Sequence, residues 1–348
     1  MQWINSATPK RNNKFKENAL ERQSQLTKPP GSLGELESLA VRLADLQQSD
    51  KPSADKIAIA IFAGDHGVAE EGVSAFPQEV TAQMVMNFLH GGAAISALVK
   101  HLNASLEVVD CGILSALPEH EGLINARAGE GTANSAKQAA MTEEQLKTAL
   151  QAGYDSIERA LKNKTDIFIG GEMGIANTTA ASVLYCALLG LTANEATGAG
   201  TGLDEKGIQH KTHIVQTILE QHNTCGDDAL AWLRCAGGFE IVALTGAYIR
   251  AAQVGIPVLV DGFISSVAAL CAVRINADTN DNLFFSHVSA EQGHRRVLTE
   301  LKQKPLLDLG MRLGEGSGAA VAASILQSAC ATHNHMATFA EAMVATKN

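Results

Sequence analysis

The chain has little positive charge. Lys and Arg total 27 of 348 residues against 37 Asp and Glu, which gives a formal net charge of −10. Proteins bind duplex nucleic acid mainly through clustered Lys and Arg that neutralise phosphates, so no nucleic-acid partner is expected. A phosphate on a small ligand remains compatible with this composition, because backbone N–H groups and a single Lys can bind it.

Long apolar runs and paired cysteines are also missing. The longest apolar stretch, near 254–273, is interrupted by Pro257, Asp261 and Gly262, and it predicts a buried strand followed by a helix instead of a membrane span. The first 25 residues are polar and charged, unlike a signal peptide. The six cysteines are scattered and form no C-x-x-C pair. These features predict a cytoplasmic protein whose cysteines are small buried hydrophobes.

Several catalytic signatures do not occur. The chain has no Walker Gly-Lys-Ser/Thr loop, no G-x-G-x-x-G fingerprint and no G-x-S-x-G elbow. Three groups suggest metal ligands, but no carboxylate or Cys cluster completes any of them at ligand spacing: Asp65-His66, His210-x-x-His213 and His333-x-His335. We therefore expect no metal ion and no cofactor.

Small and apolar residues are plentiful, with 46% hydrophobic residues and 31 Gly. Apolar runs that end in Gly plus a polar residue occur at 56–62, 106–109, 166–169, 257–260, 282–285 and 306–309. Ala-rich segments of helical length lie between them, at 178–189, 239–253 and 265–273. This alternation predicts a three-layer α/β fold of the Rossmann-like kind, a parallel sheet with helices on both faces. Ligands bind such sheets beyond the carboxyl ends of the strands.

The two chain ends differ from the middle. Residues 1–27 lack strand patterns and are predicted to be helical, as is the segment from Ala319 to Val344. We expect residues 1–27 and 318–348 to pack together as a small helical domain beside a large α/β domain, 28–317.

The segment from Gly170 to Ala180 follows a strand and opens a helix. Glycines allow a ligand close to the backbone, and the free N–H groups at a helix start favour a phosphate. A plain strand-to-helix turn with Asn177 or Thr178 as N-cap is an equally good interpretation of the pattern alone. Glu172 favours the ligand interpretation, since an acidic side chain in such a turn can bind ribose hydroxyls.

Two further segments are candidates for chemistry. Gly198–Asp204 is a glycine-rich loop followed by Lys211, which is either a solvated helix residue or a phosphate partner. Glu315 lies between glycines after the last predicted strand, among small apolar residues. It is either a solvated loop residue or a sheltered carboxylate. Partial desolvation would raise the pKa of a sheltered carboxylate toward neutrality and make it a useful general base.

Eight segments taken in order carry a family resemblance: 28–37, 63–68, 71–74, 171–179, 237–240, 260–265, 286–291 and 311–320. They resemble the nicotinate-nucleotide:dimethylbenzimidazole phosphoribosyltransferase family, which makes the lower-ligand nucleotide of cobalamin. The resemblance covers roughly Lys28 to Cys330. It implies a homodimer, with the active site at the strand carboxyl ends near the partner subunit. The implied reaction converts nicotinate mononucleotide and 5,6-dimethylbenzimidazole into α-ribazole 5′-phosphate and nicotinate.

The resemblance also implies roles for residues. Glu315 matches the catalytic base of the family. The implied nucleotide-binding residues are Glu172, Gly174, Asn177, Thr178, Lys211, Asp261 and Ser289. The implied base-binding residues are Phe76, Gln83, Met84, Met173 and Leu313.

The base pocket departs from part of the family. Some members carry Ser and Gln at the positions of Phe76 and Met84, so the pocket of this chain is expected to be more apolar and to accept other aromatic bases.

Two other functions stay open at this stage. One is a metal-dependent phosphohydrolase that uses Asp65, His66 and Asp261. The other is a nucleotide-binding protein without catalysis.

Overall fold

The computed structural model describes residues 1–200, 202–291 and 293–345. Its strands are β1 Ile57–Gly64, β2 Ser105–Gly112, β3 Leu123–Asn125, β4 Ile167–Met173, β5 Val258–Val260 and β6 Leu283–Phe285. Its α-helices are α1 Lys14–Gln25, α2 Glu35–Gln47, α3 Val80–Leu89, α4 Ala94–Leu102, α5 Glu143–Lys162, α6 Asn177–Leu189, α7 Ala193–Ala196, α8 Glu205–Gln221, α9 Ala229–Ala236, α10 Phe239–Val254, α11 Phe263–Ile275, α12 His294–Glu300 and α13 Ser317–His335. Short 3-10 turns cover Gln2–Asn5, Gly67–Glu71, Asn223–Cys225 and Ala277–Asn282.

The six strands form one parallel sheet in the order β3-β2-β1-β4-β5-β6. The order reverses at β1, which pairs with β2 on one side and with β4 on the other. Loops leave the two halves of such a sheet in opposite directions at this point and open a crevice beyond the strand carboxyl ends. The predicted α/β fold class is confirmed.

Both faces of the sheet are covered, which explains the continuous apolar strands. Along β1, the side chains of Ala58, Ala60 and Phe62 join one buried cluster, with α5 and α10. The alternate residues Ile57, Ile59 and Ile61 join the other cluster, with α2 and α13. Side chains alternate between the two faces of a strand, so a strand buried on both faces needs apolar residues at every position.

Two strand predictions need correction. The segment 306–309 is not a strand, although it runs beside the end of β6, where Leu307 forms an isolated bridge with His287 and the N–H of Leu306 donates to the carbonyl oxygen of Phe285. Leu306 and Leu307 pack partly buried against the core, whereas Asp308 and Leu309 are exposed, so the pairing does not continue. Conversely, β3 has no counterpart in the sequence predictions, since its three residues are too few to show a pattern.

The two chain ends meet beside the sheet. The backbone of Leu26 bridges that of Thr338, and the Gln23 amide contacts Nδ1 of buried His333 at 2.9 Å. Helix α13 also covers the sheet through Ala319 to Cys330, so it belongs to the main core as well as to this contact. The division into a large and a small domain therefore stays a prediction, and residues 346–348 lie outside the described residues.

The stretch Val80–Leu102 is apolar and long enough, by length and composition alone, to cross a membrane. The structure divides it into α3 and α4, which have 10 and 9 residues. A spanning helix needs about 20 residues, so neither piece reaches that length.

All six cysteines are free thiols. Five are buried as predicted, whereas Cys225 is partly exposed, with its Sγ 3.4 Å from that of Cys235.

Candidate active site

A cavity of about 360 Å³ lies beyond the carboxyl ends of β4, β5 and β6, beside the crevice at β1. The structure brings twelve of the predicted site residues to its wall: Phe76, Met84, Glu172, Met173, Gly174, Asn177, Thr178, Lys211, Asp261, Ser289, Leu313 and Glu315. Gln83 is not among them, because it points from the exposed face of α3 to solvent. Gln83 lies outside the cavity wall, and its role in base binding stays a prediction.

One end of the cavity suits an anion. Lys211 on α8 is 1% exposed, and its Nζ donates a 2.6 Å hydrogen bond to Oγ1 of Thr178 in the first turn of α6. Burial lowers the pKa of Lys211 to about 8, against the opposing charge of Glu291. The N–H groups of Asn177 and Thr179 already donate to the carbonyl oxygens of Gly174 and Ala176, so the start of α6 favours an anion mainly through the helix dipole. A buried cation and a helix start together form a site for a phosphate.

The turn between β4 and α6 is shaped by its backbone. Ala176 is the N-cap of α6 and has a left-handed φ of 76°, so neither Asn177 nor Thr178 caps this helix. Gly174 is needed for packing, because a Cβ there would lie 2.4 Å from the carbonyl oxygen of Gly64. A bulky residue at Gly174 would therefore disrupt the contact of this turn with β1.

Glu172 is a buried carboxyl on this turn. Burial raises the pKa of Glu172 to about 8, and the nearby charge of Glu240 adds to the shift. At neutral pH the carboxyl is therefore largely protonated. The side-chain amide of Asn177 donates a hydrogen bond to Oε2 of Glu172, so Asn177 orients this group instead of capping α6.

Glu315 is held by an unusual backbone. Gly314, Glu315 and Gly316 follow one another with φ values of 86°, 63° and 78°, all left-handed. Such a conformation is strained for a residue with a side chain, and strain of this kind concentrates at functional sites. Strand β4 approaches so closely that a Cβ on Gly171 would lie 2.7 Å from the carbonyl group of Glu315.

The Glu315 carboxyl is equipped to accept a proton. It is buried at the cavity wall, and its Oε2 has no hydrogen-bond partner among the described residues. Burial raises the pKa of Glu315 to about 7, and the charge of Asp261 contributes. A carboxylate with a pKa near the working pH is an efficient general base, because it is available in the ionised form and still basic enough to remove a proton.

The other end of the cavity is apolar and open. Met84 and Met173 form part of its wall, and Phe76 and Leu313 lie at its mouth, where they are 49% and 57% exposed. Thioethers and an aromatic ring provide polarisable surface for a flat ring and few hydrogen bonds. This end suits an aromatic base.

Three charged or titratable residues of the wall were not predicted as site residues: His287, Glu291 and Arg312. His287 and Glu291 belong to the loop after β6, and Arg312 belongs to the loop before α13, so no single local spacing identifies the three together. Thr201, in the predicted glycine-rich loop, lies outside the described residues, whereas Ala199 and Gly200 line the wall.

The residues proposed for a metal-dependent phosphohydrolase do not converge. Nε2 of His66 lies 2.7 Å from Oε1 of Glu240 in a fully buried pair, and Oδ2 of Asp65 accepts from the N–H of Leu114. Neither Asp65 nor His66 reaches the cavity wall. Across 1–200, 202–291 and 293–345, no group of three or more His, Cys, Asp or Glu side chains could hold a metal ion.

A family model described as a phosphoribosyltransferase, DBI_PRT, matches residues 8–344. The chain belongs to this family. It is 55% identical to a nicotinate-nucleotide–dimethylbenzimidazole phosphoribosyltransferase of Pseudomonas putida, over 99% of this chain and 98% of that protein. It is 54% identical to an Ectopseudomonas mendocina protein of the same name, over 100% and 99% of the two chains.

A solved structure resembles the whole fold. CobT from Thermus thermophilus superposes with a TM-score of 0.92 at 43% identity, over 96% of this chain and 100% of that chain. Family membership confirms the resemblance inferred from the eight segments and identifies the chain as a phosphoribosyltransferase. It favours this activity over both a phosphohydrolase and a binding protein without catalysis. The individual roles of the wall residues stay predictions.

Proposed function

We propose that this enzyme transfers the phosphoribosyl group of nicotinate mononucleotide to 5,6-dimethylbenzimidazole or a related base. The products are α-ribazole 5′-phosphate and nicotinate, and the reaction belongs to the nucleotide-loop branch of cobalamin biosynthesis. One observation carries the proposal: a buried carboxylate, Glu315, with a pKa raised to about 7, lies in a cavity that has an anion site at one end and an apolar mouth at the other.

The chemistry needs one base and no acid. Nicotinate is bound to C1′ as a cationic pyridinium, so when the C1′–N bond breaks, the electron pair neutralises the ring nitrogen. The nitrogen of the incoming azole that carries no proton forms the new bond to C1′, and the proton on the other ring nitrogen passes to Glu315. General-base assistance of this kind is worth roughly 10²–10⁴-fold in rate. Attack from the face opposite nicotinate inverts C1′ and converts the β-nucleotide into the α-riboside.

The proposed roles of the other residues follow from their surroundings. Lys211, Thr178 and the first turn of α6 bind the 5′-phosphate. Glu172, largely protonated at neutral pH, can donate a hydrogen bond to a ribose oxygen while Asn177 orients it. The reaction contains no pyrophosphate to neutralise, so the proposed chemistry does not depend on a divalent cation.

The test is product identity. Purified enzyme is incubated with nicotinate mononucleotide and 5,6-dimethylbenzimidazole, with and without EDTA, and the products are identified by mass. We expect α-ribazole 5′-phosphate and nicotinate in equal amounts in both samples. Nicotinate together with free ribose 5-phosphate would indicate a hydrolase, and loss of activity in EDTA would indicate a metal-dependent reaction. Either outcome would contradict the proposal.

We propose that the enzyme acts as a homodimer in the cytoplasm. The large apolar side chains of Phe76 and Leu313 lie exposed at the cavity mouth. Beside them, the apolar side chains of Val80, Met84 and Leu89 on α3 are only partly buried. Exposed apolar surface of this kind is typical of an interaction site, and a second copy of the chain would cover it. Sedimentation equilibrium should give twice the chain mass, and a monomer would contradict the dimer.

The apolar mouth predicts a broad choice of base. A hydrophobic pocket distinguishes one methyl group by only about 1–3 kcal/mol, so benzimidazole and its methylated forms should fall within roughly 200-fold of each other in kcat/KM. Adenine should be poorer, because its polar edge would lie against Phe76, Met84 and Met173 without hydrogen-bond partners.

Competition measures this preference directly. Equimolar benzimidazole, 5,6-dimethylbenzimidazole and adenine compete for limiting nicotinate mononucleotide, and the nucleotide products are quantified by mass. The control variant Lys147→Met changes an exposed residue of α5 outside the cavity wall and should leave the product ratio unchanged. A majority of the adenine product would show that polar groups line this end of the cavity.

A further inference from the structure

Asp261 follows β5 directly and reaches the cavity wall, yet its carboxylate is occupied by the protein itself. It is 1% exposed, and its Oδ2 accepts a hydrogen bond from the N–H of Gly316 at 3.1 Å. Its Oδ1 accepts from the N–H of Ala319 at 2.9 Å. Both donors belong to the start of α13, immediately after Glu315.

Helix α13 lacks a cap of its own. Its N-cap is Gly316, which has no side chain to accept from the first-turn N–H groups. An N-cap side chain normally accepts from the third residue of its helix, which in α13 is Ala319. The Asp261 carboxylate makes this bond from a different strand, so it replaces the missing cap. It also binds the N–H of Gly316 itself.

We infer that Asp261 is a positioning residue for the catalytic base, acting on Glu315 through the start of α13 and not through contact with the nucleotide. The inference rests on the proposed function. It replaces the nucleotide-binding role that the family resemblance suggested for Asp261. The loop before Glu315 is exposed at Leu309 and Leu313, so it offers little packing of its own to fix the base. The bonds from Asp261 supply an anchor one residue after Glu315.

The start of α13 is packed closely against Asp261 and His287, which leaves little room for another backbone position. A Cβ on Gly318 would lie 2.9 Å from Oδ1 of Asp261 and 2.2 Å from the ring of His287, so α13 starts in close contact with both. Nδ1 of His287 is 3.9 Å from Oδ1 of Asp261. A positioned helix start is therefore built into the ends of β5 and β6.

Asp261 also influences Glu315 electrostatically. Its charge contributes to the raised pKa of Glu315, after burial. Six charged or titratable groups share this cavity with Glu315: Glu172 at the end of β4, Lys211 on α8, Asp261 after β5, His287 and Glu291 after β6, and Arg312 in the loop of Glu315 itself. Among these groups, Asp261 is the one whose negative charge raises the pKa of Glu315, so removing that charge should lower this pKa. A purely structural role in holding α13 would not produce that effect.

The test compares Asp261→Asn with the wild type and with Asp110→Asn. Asp110 is a matched control, since it is also buried and accepts from two backbone N–H groups, those of Gly112 and Ile113, outside the cavity wall. The measurements are kcat against pH, KM and calorimetric Kd for nicotinate mononucleotide, and Tm. A shift of 1 Å at a reacting group can cost about 10²-fold in rate.

For Asp261→Asn we expect kcat to fall by about tenfold or more, with the acid limb of its pH profile moved to lower pH and the nucleotide Kd within about threefold of the wild type. Asp110→Asn should lower Tm but leave the acid limb of the kcat profile at the wild-type pH. If the nucleotide Kd instead weakens tenfold or more while kcat and its acid limb are unchanged, the inference is overturned. Asp261 would then bind the nucleotide directly.

A measurement on the wild type covers the case in which Asp261→Asn does not fold. Hydrogen exchange resolved to single amides should show protection at Gly316 and Ala319, although first-turn N–H groups lack partners within a helix. Exchange as fast as in an open loop would overturn the inference. If wild-type enzyme makes no α-ribazole 5′-phosphate, the proposed function fails, and that result is separate from either outcome for Asp261.

Discussion

Replacing Glu315 with Gln is expected to lower kcat by roughly 10²–10⁴-fold, because the amide cannot accept the proton of the incoming base. Gln has nearly the same size and meets the same left-handed φ of 63°, so the loop geometry should persist. Binding of nicotinate mononucleotide should stay within about threefold, since the base acts after the nucleotide is bound. Steady-state rates and calorimetry with the same nucleotide measure both quantities.

The pH profile supplies the second half of this prediction. Burial raises the pKa of Glu315 to about 7, so the wild-type kcat should fall as pH drops below that value and the carboxylate becomes protonated. This fall of kcat at acid pH should be absent from the residual activity of Glu315→Gln. Glu205→Gln, on the exposed side of α8, is the control and should match the wild type. Turnover of Glu315→Gln close to the wild-type rate would show that another group removes the proton.

The second large effect concerns the buried cation. Lys211→Met should weaken binding of nicotinate mononucleotide by about 10- to 150-fold, because a hydrogen bond to a charged group contributes ~1.5–3 kcal/mol and each ~1.4 kcal/mol is tenfold. Met fills a similar volume without charge. Burying the ammonium group costs more than its hydrogen bond to Thr178 contributes, so the Tm of this variant should stay the same or rise.

The combination of weaker binding and undiminished stability separates a ligand-binding Lys from a structural one. Lys206→Met changes an exposed Lys on the same helix and should alter neither quantity. Benzimidazole binding should be unaffected in both variants, because the base occupies the other end of the cavity. Unchanged nucleotide affinity in a folded Lys211→Met protein would remove Lys211 from the phosphate site.

Much of the fold could be predicted because its signals are local. The strands β1, β4 and β5 are buried on both faces, so their sequences are continuously apolar and end in glycine and polar residues. The failures lie where the physical signal is weak or shared with other structures. The segment 306–309 has the composition of a strand but lies at the surface, and β3 is too short to produce a pattern.

The site was predictable as a set of residues but not as a set of contacts. Glu172 and Glu315 stand out because each is a carboxylate among glycines. The structural roles of two residues became clear only from the three-dimensional structure. Gly174 is required by the carbonyl of Gly64, which lies far away in sequence, and Asp261 accepts from a helix start 55 residues later. Contacts between distant segments leave no mark in the spacing of either one.

Gln83 illustrates the same limit on a helix. It is adjacent to Met84 in sequence, yet successive residues on a helix point about 100° apart, so one lines the cavity while the other faces solvent. The resemblance to a family could indicate this region of the chain. The orientation of α3 against the sheet determines which side chain enters the site.

The configuration of the product at C1′ is the most direct test of the central claim, that one carboxylate assists a single displacement. Wild-type enzyme is supplied with β-nicotinate mononucleotide and 5,6-dimethylbenzimidazole, and the isolated nucleotide is assigned by nuclear Overhauser contacts between the base and the ribose protons. A single inverting attack assisted by Glu315 predicts the α-anomer alone. A β-anomer would require two successive displacements, with a second carboxylate such as Glu172 as nucleophile, and would contradict the account.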